Sequence, residues 1–137
     1  MDFSAINWLA VVACVVASMV SGFVWYHPKV FFSAWLKEIG KTEGEMSYRT
    51  PEAMIWVLTV LSAFVQATAT GFMLSVMGSN TLGAGALAGF MIWLGFVAPT
   101  NLVNKLFAGH SLKVWAIEAG NHLVNLLLFG AILAAWQ

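Results

Sequence analysis

Residues 113–125 read KVWAIEAGNHLVN, and they lie inside the last long apolar segment of the chain. The stretch carries one carboxylate, one imidazole and two amides, which belong to Glu118, His122, Asn121 and Asn125. At about 100° per residue, positions 118, 122 and 125 share one helix face, with 121 at its edge. Ionisable groups inside a membrane segment are costly, so they usually face a bundle interior, a partner or a water-filled cavity. We therefore interpret the other segments as the housing of this face.

The composition predicts an integral membrane protein whose first partner is the lipid bilayer. Of the 137 residues, 61% are hydrophobic and only 9% are charged, whereas soluble domains have about 25% charged residues. The six basic and six acidic residues cancel, which gives no reason to expect binding to nucleic acid.

Four apolar runs reach the roughly 20 residues that a helix needs to cross a bilayer. They cover residues 6–26, 53–77, 82–104 and 112–136. Because backbone groups in lipid must be satisfied within their own segment, these runs predict α-helices. We expect a single transmembrane domain over residues 1–137, an all-α bundle of four transmembrane helices. Pro99 lies inside the third run and predicts a kink near Ala98.

Small residues recur at every fourth position of the first two runs. They are Ala10, Cys14, Ser18 and Gly22 in the first run, and Ala63, Ala67, Gly71 and Ser75 in the second. The third run contains a G-x-x-x-G match at Gly85 and Gly89. Such ridges let helix backbones approach closely in lipid. They predict tight packing within one chain, and the alternative is a homo-oligomeric contact.

A short amphipathic helix is predicted after the first span, over residues 28–39. Trp25-Tyr26-His27-Pro28 places aromatic rings where the membrane interface is expected. Beyond it, apolar positions 31, 32, 35, 36 and 39 fall on one face, opposite 29, 33 and 37, as in helices that lie in the interface. Residues 41–49 are predicted to form an exposed loop, and residues 101–111 to connect the third and fourth spans.

All six basic residues lie in or beside the first and third loops, which share one side of the membrane. They are Lys29, Lys37, Lys41, Arg49, Lys105 and Lys113. The positive-inside rule predicts that this side is cytoplasmic and that both termini are extracytoplasmic.

The polar side chains of all four spans concentrate toward the same side. The candidate polar pocket comprises Glu118, His122, Asn121, Asn125, Asn101, Asn104, Gln66, Ser62, Thr59, Trp25, Tyr26 and His27. The sequence assigns no catalytic residue among them.

Three interpretations of this pocket remain open. In the first, it is a closed network in which Glu118 bonds His122 one turn further on. In the second, it is a site for a small molecule, a lipid headgroup or a proton, open to the cytosol. In the third, Glu118 and His122 bind a metal or haem, with His27 or His110 joining them. The third is disfavoured because a di-iron bundle needs several carboxylates and the chain has no H-E-x-x-H or C-x-x-C motif. No cofactor is therefore predicted.

Several short motifs resemble a bacterial membrane family, domain of unknown function 1761 (DUF1761). They are Asn7-Trp8-Leu9-Ala10, Trp25-Tyr26-His27-Pro28, Phe31 to Trp35, Gly95-Phe96-Val97-Ala98-Pro99, Leu106-Phe107, Gly120, and Gly130-Ala-Ile-Leu to Trp136. The resemblance covers nearly the whole chain, and its specificity lies in the order and spacing of the motifs. It implies a four-helix protein of the bacterial inner membrane and supplies no activity.

Two functions follow as hypotheses from the sequence. The preferred one is a structural or binding subunit that packs with itself or with a larger membrane complex. The alternative is a transporter-like protein or a membrane enzyme that uses the polar pocket. An enzyme would show an open pocket reaching Glu118 and His122, whereas a structural subunit would show that network closed.

Overall fold

The computed structural model describes residues 3–136, and every regular element within that range is a helix. The α-helices are α1 (Trp8–Trp25), α2 (Phe32–Glu38), α3 (Glu52–Met77), α4 (Leu82–Ile92), α5 (Ala98–Phe107) and α6 (Leu112–Ala135). Short 3-10 turns occupy Phe3–Ala5 and Glu43–Glu45, and a π-helical segment, Trp93–Val97, joins α4 to α5. Four helices are long and apolar enough to cross a membrane: α1, α3, the continuous run Leu82–Phe107, and α6. The predicted four spans and the short additional helix are confirmed.

Two predicted boundaries are wrong. Helix α2 begins at Phe32 rather than at residue 28, because the preceding residues form turns. In these turns the Phe31 N–H bonds the Trp25 carbonyl at 3.2 Å, and the Val30 N–H bonds the His27 carbonyl at 2.8 Å. The predicted connector over residues 101–111 is helical as far as Phe107, because the helical hydrogen bonds continue up to the one from the Ala108 N–H to the Asn104 carbonyl.

Helix α6 is the centre of the bundle, and α1 to α5 all pack against it. The closest approach is to α4. A Cβ atom at Gly85 would overlap the Gly130 carbonyl, and one at Gly89 would overlap the Leu126 carbonyl. The two backbones are therefore in contact, and the G-x-x-x-G match of the third span is used inside the chain.

The small-residue ridges of α1 and α3 also face inward for most of their length. Ala10, Cys14 and Ala67 are fully buried. Gly22 is different, because a Cβ atom there would meet nothing within 4 Å. The ridge of α1 thus runs from the packed core into open space.

The open space lies beside the first half of α3. Every buried residue of α3 lies at or beyond Ala63, so the half that begins at Glu52 stands away from the core. This half lies at the end of the bundle that carries all six basic residues, which we call the basic end. The first and third loops meet there, since Ser111 Oγ donates to Glu38 Oε2 at 2.8 Å and Lys113 Nζ lies 3.6 Å from Glu38 Oε1.

Candidate functional site

A cavity of about 870 Å³ opens at the basic end between α1, α2, α3 and α6. Its volume falls within the range of about 300–1,000 Å³ that is typical of small-molecule pockets. Polar side chains of α3 and α6 contribute to its lining: Thr59, Ser62, Gln66, Asn121, His122 and Asn125. We call this space the basic-end cavity.

Some polar groups in this lining have no hydrogen-bond partner among residues 3–136. Within that range, Asn125 Oδ1 is buried and accepts no hydrogen bond, and the His122 ring takes part in none. Asn121 is the contrasting case, because its Nδ2 donates to Ser21 Oγ at 3.1 Å and so ties α6 to α1. The wall therefore combines a fixed amide with unused hydrogen-bonding capacity.

Aromatic rings form much of the remaining lining. They belong to Phe23, Tyr26, Phe32, Trp35, Tyr48 and Trp56. Phe23 stacks on Trp56 with ring centroids 5.7 Å apart, and Tyr26 meets Trp35 edge-on at 6.0 Å. Among the described lining residues, Glu52 is the one carboxylate, and none is Lys or Arg.

Glu118 has partners other than the predicted His122. Its Oε2 lies 2.7 Å from Lys105 Nζ of α5, and its Oε1 accepts a 3.1 Å hydrogen bond from Trp35 Nε1 of α2. The Glu118 side chain is only 16% exposed. The ammonium group of Lys105 is a stronger partner for a carboxylate than a neutral imidazole would be. Glu118 thus joins α2 and α5 to α6 and does not line the basic-end cavity.

The charge of Glu118 nevertheless reaches the cavity wall through Tyr26, just past the end of α1. Burial raises the pKa of the Tyr26 hydroxyl to about 12, and the negative charge of Glu118 adds to the shift. Tyr26 lines the cavity, so its phenol stays neutral there at physiological pH.

Tryptophan side chains anchor the helices around Glu118. Trp25 Nε1 donates to the Ile117 carbonyl and Trp93 Nε1 to the Ala119 carbonyl, each at 2.8 Å. Trp25 lies so close to α6 that a Cβ atom at Gly120 would be 2.8 Å from its Cζ2 atom. These bonds hold α1 and the third span against α6 directly beside the cavity.

The third span changes its helical pitch at the same level. In the segment Trp93–Val97, hydrogen bonds run to the fifth residue, as when the Ala98 N–H bonds the Trp93 carbonyl. Pro99 follows immediately and has no N–H to donate. The disturbance expected near Ala98 takes the form of this wide turn. Trp115 Nε1 donates to the Ala98 carbonyl at 3.0 Å, which adds a bond from α6.

A family model described as a protein of unknown function, DUF1761, matches residues 9–134. The chain belongs to the DUF1761 family. This confirms the resemblance seen in the motifs. No curated protein and no solved structure matches the chain. The family brings no activity, so the role of the site in this DUF1761 protein rests on its geometry.

The structure divides the predicted pocket residues of the DUF1761 protein into two groups. Those that line the cavity are Tyr26, Thr59, Ser62, Gln66, Asn121, His122 and Asn125; those that do not are Trp25, His27, Asn101, Asn104 and Glu118. His27 is exposed, and its Nδ1 accepts the Lys29 N–H at 3.1 Å. Asn101 Oδ1 is buried without a partner in the described range, and Asn104 is exposed.

Sequence reasoning missed Lys105 and Trp35 as partners of Glu118, and it missed Tyr48 and Glu52 in the cavity lining. Lys105 falls in the predicted connector over residues 101–111, and only its placement on a continuing helix brings it to α6. Tyr48 and Glu52 come from a segment without an apolar pattern. The one available signal was the high density of tryptophan at the basic end.

A metal or haem site at Glu118 and His122, the disfavoured alternative from the sequence, remains untested for this DUF1761 chain. Within the part of the chain that the structure describes, no three His, Cys, Asp or Glu side chains come together as a ligand set. Glu118 is already engaged by Lys105. We therefore derive no chemistry through a metal.

Proposed function

We propose that this DUF1761 protein binds a small molecule in the basic-end cavity, as a membrane carrier or binding protein. The observation that supports this is a cavity of about 870 Å³ whose wall combines aromatic rings with the polar side chains of Gln66, His122 and Asn125. The apolar body of the ligand would contact aromatic and aliphatic side chains, and its polar group would meet α3 and α6.

Asn125 places an amide deep in the cavity wall. It lies 13 residues beyond the start of α6 at Leu112, which is roughly 20 Å along the helix axis. Lipid offers no hydrogen-bond partner at that depth. Polar atoms that face the cavity therefore depend on water or on a ligand for their hydrogen bonds, and a polar group on a bound ligand can take the place of the water.

Glu118 has a positioning role in this proposal. Its bonds to Lys105 and Trp35 fix the ends of α5 and α2 against α6. Trp35 also lines the cavity. The hydrogen bond from Trp35 would therefore keep one wall in place, while His122, one turn further along α6, would face the ligand.

The structural subunit favoured by the sequence is the second hypothesis, and one observation weighs against it. Self-association would most simply use the glycines at positions 85 and 89, and these are packed against α6 of the same chain. A cytoplasmic basic end and a bacterial inner-membrane location remain expectations from charge and from the family resemblance.

The proposal is tested by filling the cavity. Gly22 lines it, and a Cβ atom there meets open space, so Gly22→Phe should place a ring in the cavity without a backbone clash. Gly83 is a matched control, because it is exposed, helical, equally free of contacts and outside the cavity.

Native mass spectrometry of protein extracted from membranes in mild detergent provides the measurement. We expect wild type and Gly83→Phe to carry a bound small molecule that Gly22→Phe has lost. Identical spectra for the three proteins would contradict the proposal.

A further inference from the structure

We propose that the ligand of the basic-end cavity is a lipophilic organic cation, such as a hydrophobic amine or a quaternary onium compound. This inference rests on the proposed function and names the class of its ligand. Charge, aromatic lining and hydrogen-bond acceptors support it independently.

The charges around the cavity favour a cation over an anion. Glu52 contributes a carboxylate to the lining, and no described lining residue is Lys or Arg. Lys105 is neutralised by Glu118, whose Oε2 lies 2.7 Å from its Nζ. Arg49 lies between Tyr48 and Thr50 in sequence, yet only those two neighbours line the cavity. A buried anion would lack the counter-charge that burial requires.

The aromatic lining suits a cation of low charge density. A cation within about 6 Å of a ring centroid gains about 0.5–2 kcal/mol, with tryptophan the most effective ring. The cavity offers Trp35, Trp56, Tyr26 and Tyr48. The Tyr26 phenol is neutral, because the pKa of its hydroxyl is raised to about 12. The rings therefore attract a cation although they carry no net charge themselves.

Oxygen acceptors in the lining attract a cation with or without an N–H group, because each carries partial negative charge. The hydroxyl of Thr59 donates to the Ile55 carbonyl at 2.7 Å, so its oxygen lone pairs remain available to a ligand. Met19, Ile55 and Leu58 complete the lining with apolar surface, which favours a lipophilic cation over a hydrated metal ion.

Three probes of similar shape and different charge test the inference. They are methyltriphenylphosphonium, which is cationic, triphenylphosphine oxide, which is neutral, and triphenylacetate, which is anionic. Each is titrated into the protein by calorimetry in one detergent. The Gly22→Phe variant serves as background, because it reports partitioning of the probe into the micelle.

We expect the phosphonium to bind about tenfold more tightly than the oxide, a difference of about 1.4 kcal/mol, and triphenylacetate to remain at background. Glu52→Gln should weaken phosphonium binding about threefold, as for an exposed ion pair, and Tyr48→Leu by about the same factor. Glu43→Gln removes an equal charge from the exposed loop outside the cavity and should change nothing.

The outcomes separate the two proposals. If the oxide or the acetate binds as tightly as the phosphonium and Gly22→Phe abolishes that binding, the ligand is not selected for positive charge. The cation inference is then overturned, and the small-molecule site stands. If no probe exceeds background while wild type still copurifies with a small molecule, the cation is again overturned. If no probe binds and nothing copurifies, both proposals fail.

Discussion

Glu118 shows how one side chain can be structural while its neighbour on the same helix face lines a cavity. Its carboxylate is held by Lys105 and Trp35, which approach from two other helices. His122, one turn away, makes no hydrogen bond in the described range and faces the basic-end cavity. The shared face predicted from the sequence is therefore divided by what packs against it.

At the residue scale, we expect Glu118→Ala to lower the free energy of unfolding by about 1–3 kcal/mol, because it leaves the Trp35 N–H and the Lys105 ammonium without their partner. Glu118→Gln should cost less than half as much, because its amide oxygen still accepts from Trp35. Unfolding both variants in the same detergent checks this, with Glu43→Ala in the exposed loop as control. An alanine variant as stable as wild type would contradict the anchoring role.

Tyr26 can be titrated separately, because Tyr48 is the only other tyrosine in the sequence. In a Tyr48→Phe background, ultraviolet titration should report a Tyr26 pKa of about 12 rather than 10. Adding Glu118→Gln should lower this pKa, because the smaller, coulombic cause of the shift is removed.

The raised pKa of Tyr26 should make the stability of the protein depend on pH. An acid whose pKa is higher in the folded state binds more protons there than in the unfolded state. Tyr26 should therefore make the protein lose stability as pH rises from about 10 to about 12, and Tyr26→Phe should remove that loss. Thermal melts of both proteins across this pH range in one detergent measure it. Equal losses in the two proteins would show that Tyr26 is not the cause.

At the element scale, the contact between α4 and α6 depends on the absence of side chains. Gly85, Gly89 and Gly130 let the two backbones touch. In lipid, helix association depends on such packing because the solvent is as apolar as the side chains. The contact also positions the π-helical segment that follows α4, whose Trp93 bonds α6 beside the cavity.

We expect Gly89→Leu to destabilise the protein by about 1–3 kcal/mol or more. The new side chain would be forced into the Leu126 carbonyl. Ala67→Leu, at a fully buried position of α3, should also destabilise it. Melting temperatures in one detergent provide the measurement. Gly83→Leu lies in α4 too, but has open space around it, and should melt like wild type. Wild-type stability of the Gly89 and Ala67 variants would mean that these faces meet lipid.

At the scale of the whole molecule, the bundle is asymmetric from end to end. The core is concentrated where Leu74, Phe129 and Leu133 pack. The basic end is held instead by ion pairs and indole hydrogen bonds around an open space. At the opposite end, Asn7 caps α1 and donates to the Trp136 carbonyl at 2.9 Å. The cavity of the proposed binding role thus lies at the end of the bundle that is less tightly packed.

The orientation of this asymmetry is a prediction from charge. We expect a thiol-reactive reagent that cannot cross membranes to label Asn80→Cys on intact cells, and to label Ser47→Cys only after permeabilisation. The native Cys14 is fully buried and should give little background. Labelling of position 47 from outside would reverse the predicted orientation and place the cavity at the extracytoplasmic end.

The sequence by itself determined the membrane class, the four spans and the short helix. These depend on local hydrophobicity and on the need of each backbone segment to satisfy its own hydrogen bonds. It also indicated that Gln66, Asn121 and His122 belong to one polar region, because depth along a helix follows from residue number.

Only the tertiary structure decided which polar groups meet. The partners of Glu118 come from residues 13 and 83 positions away in the sequence, and helical periodicity contains no information about contacts between helices. The cavity likewise depends on how far the first half of α3 stands from α6. That distance is set by the packing of the whole bundle, since a void is defined by the atoms that surround it and not by any one segment.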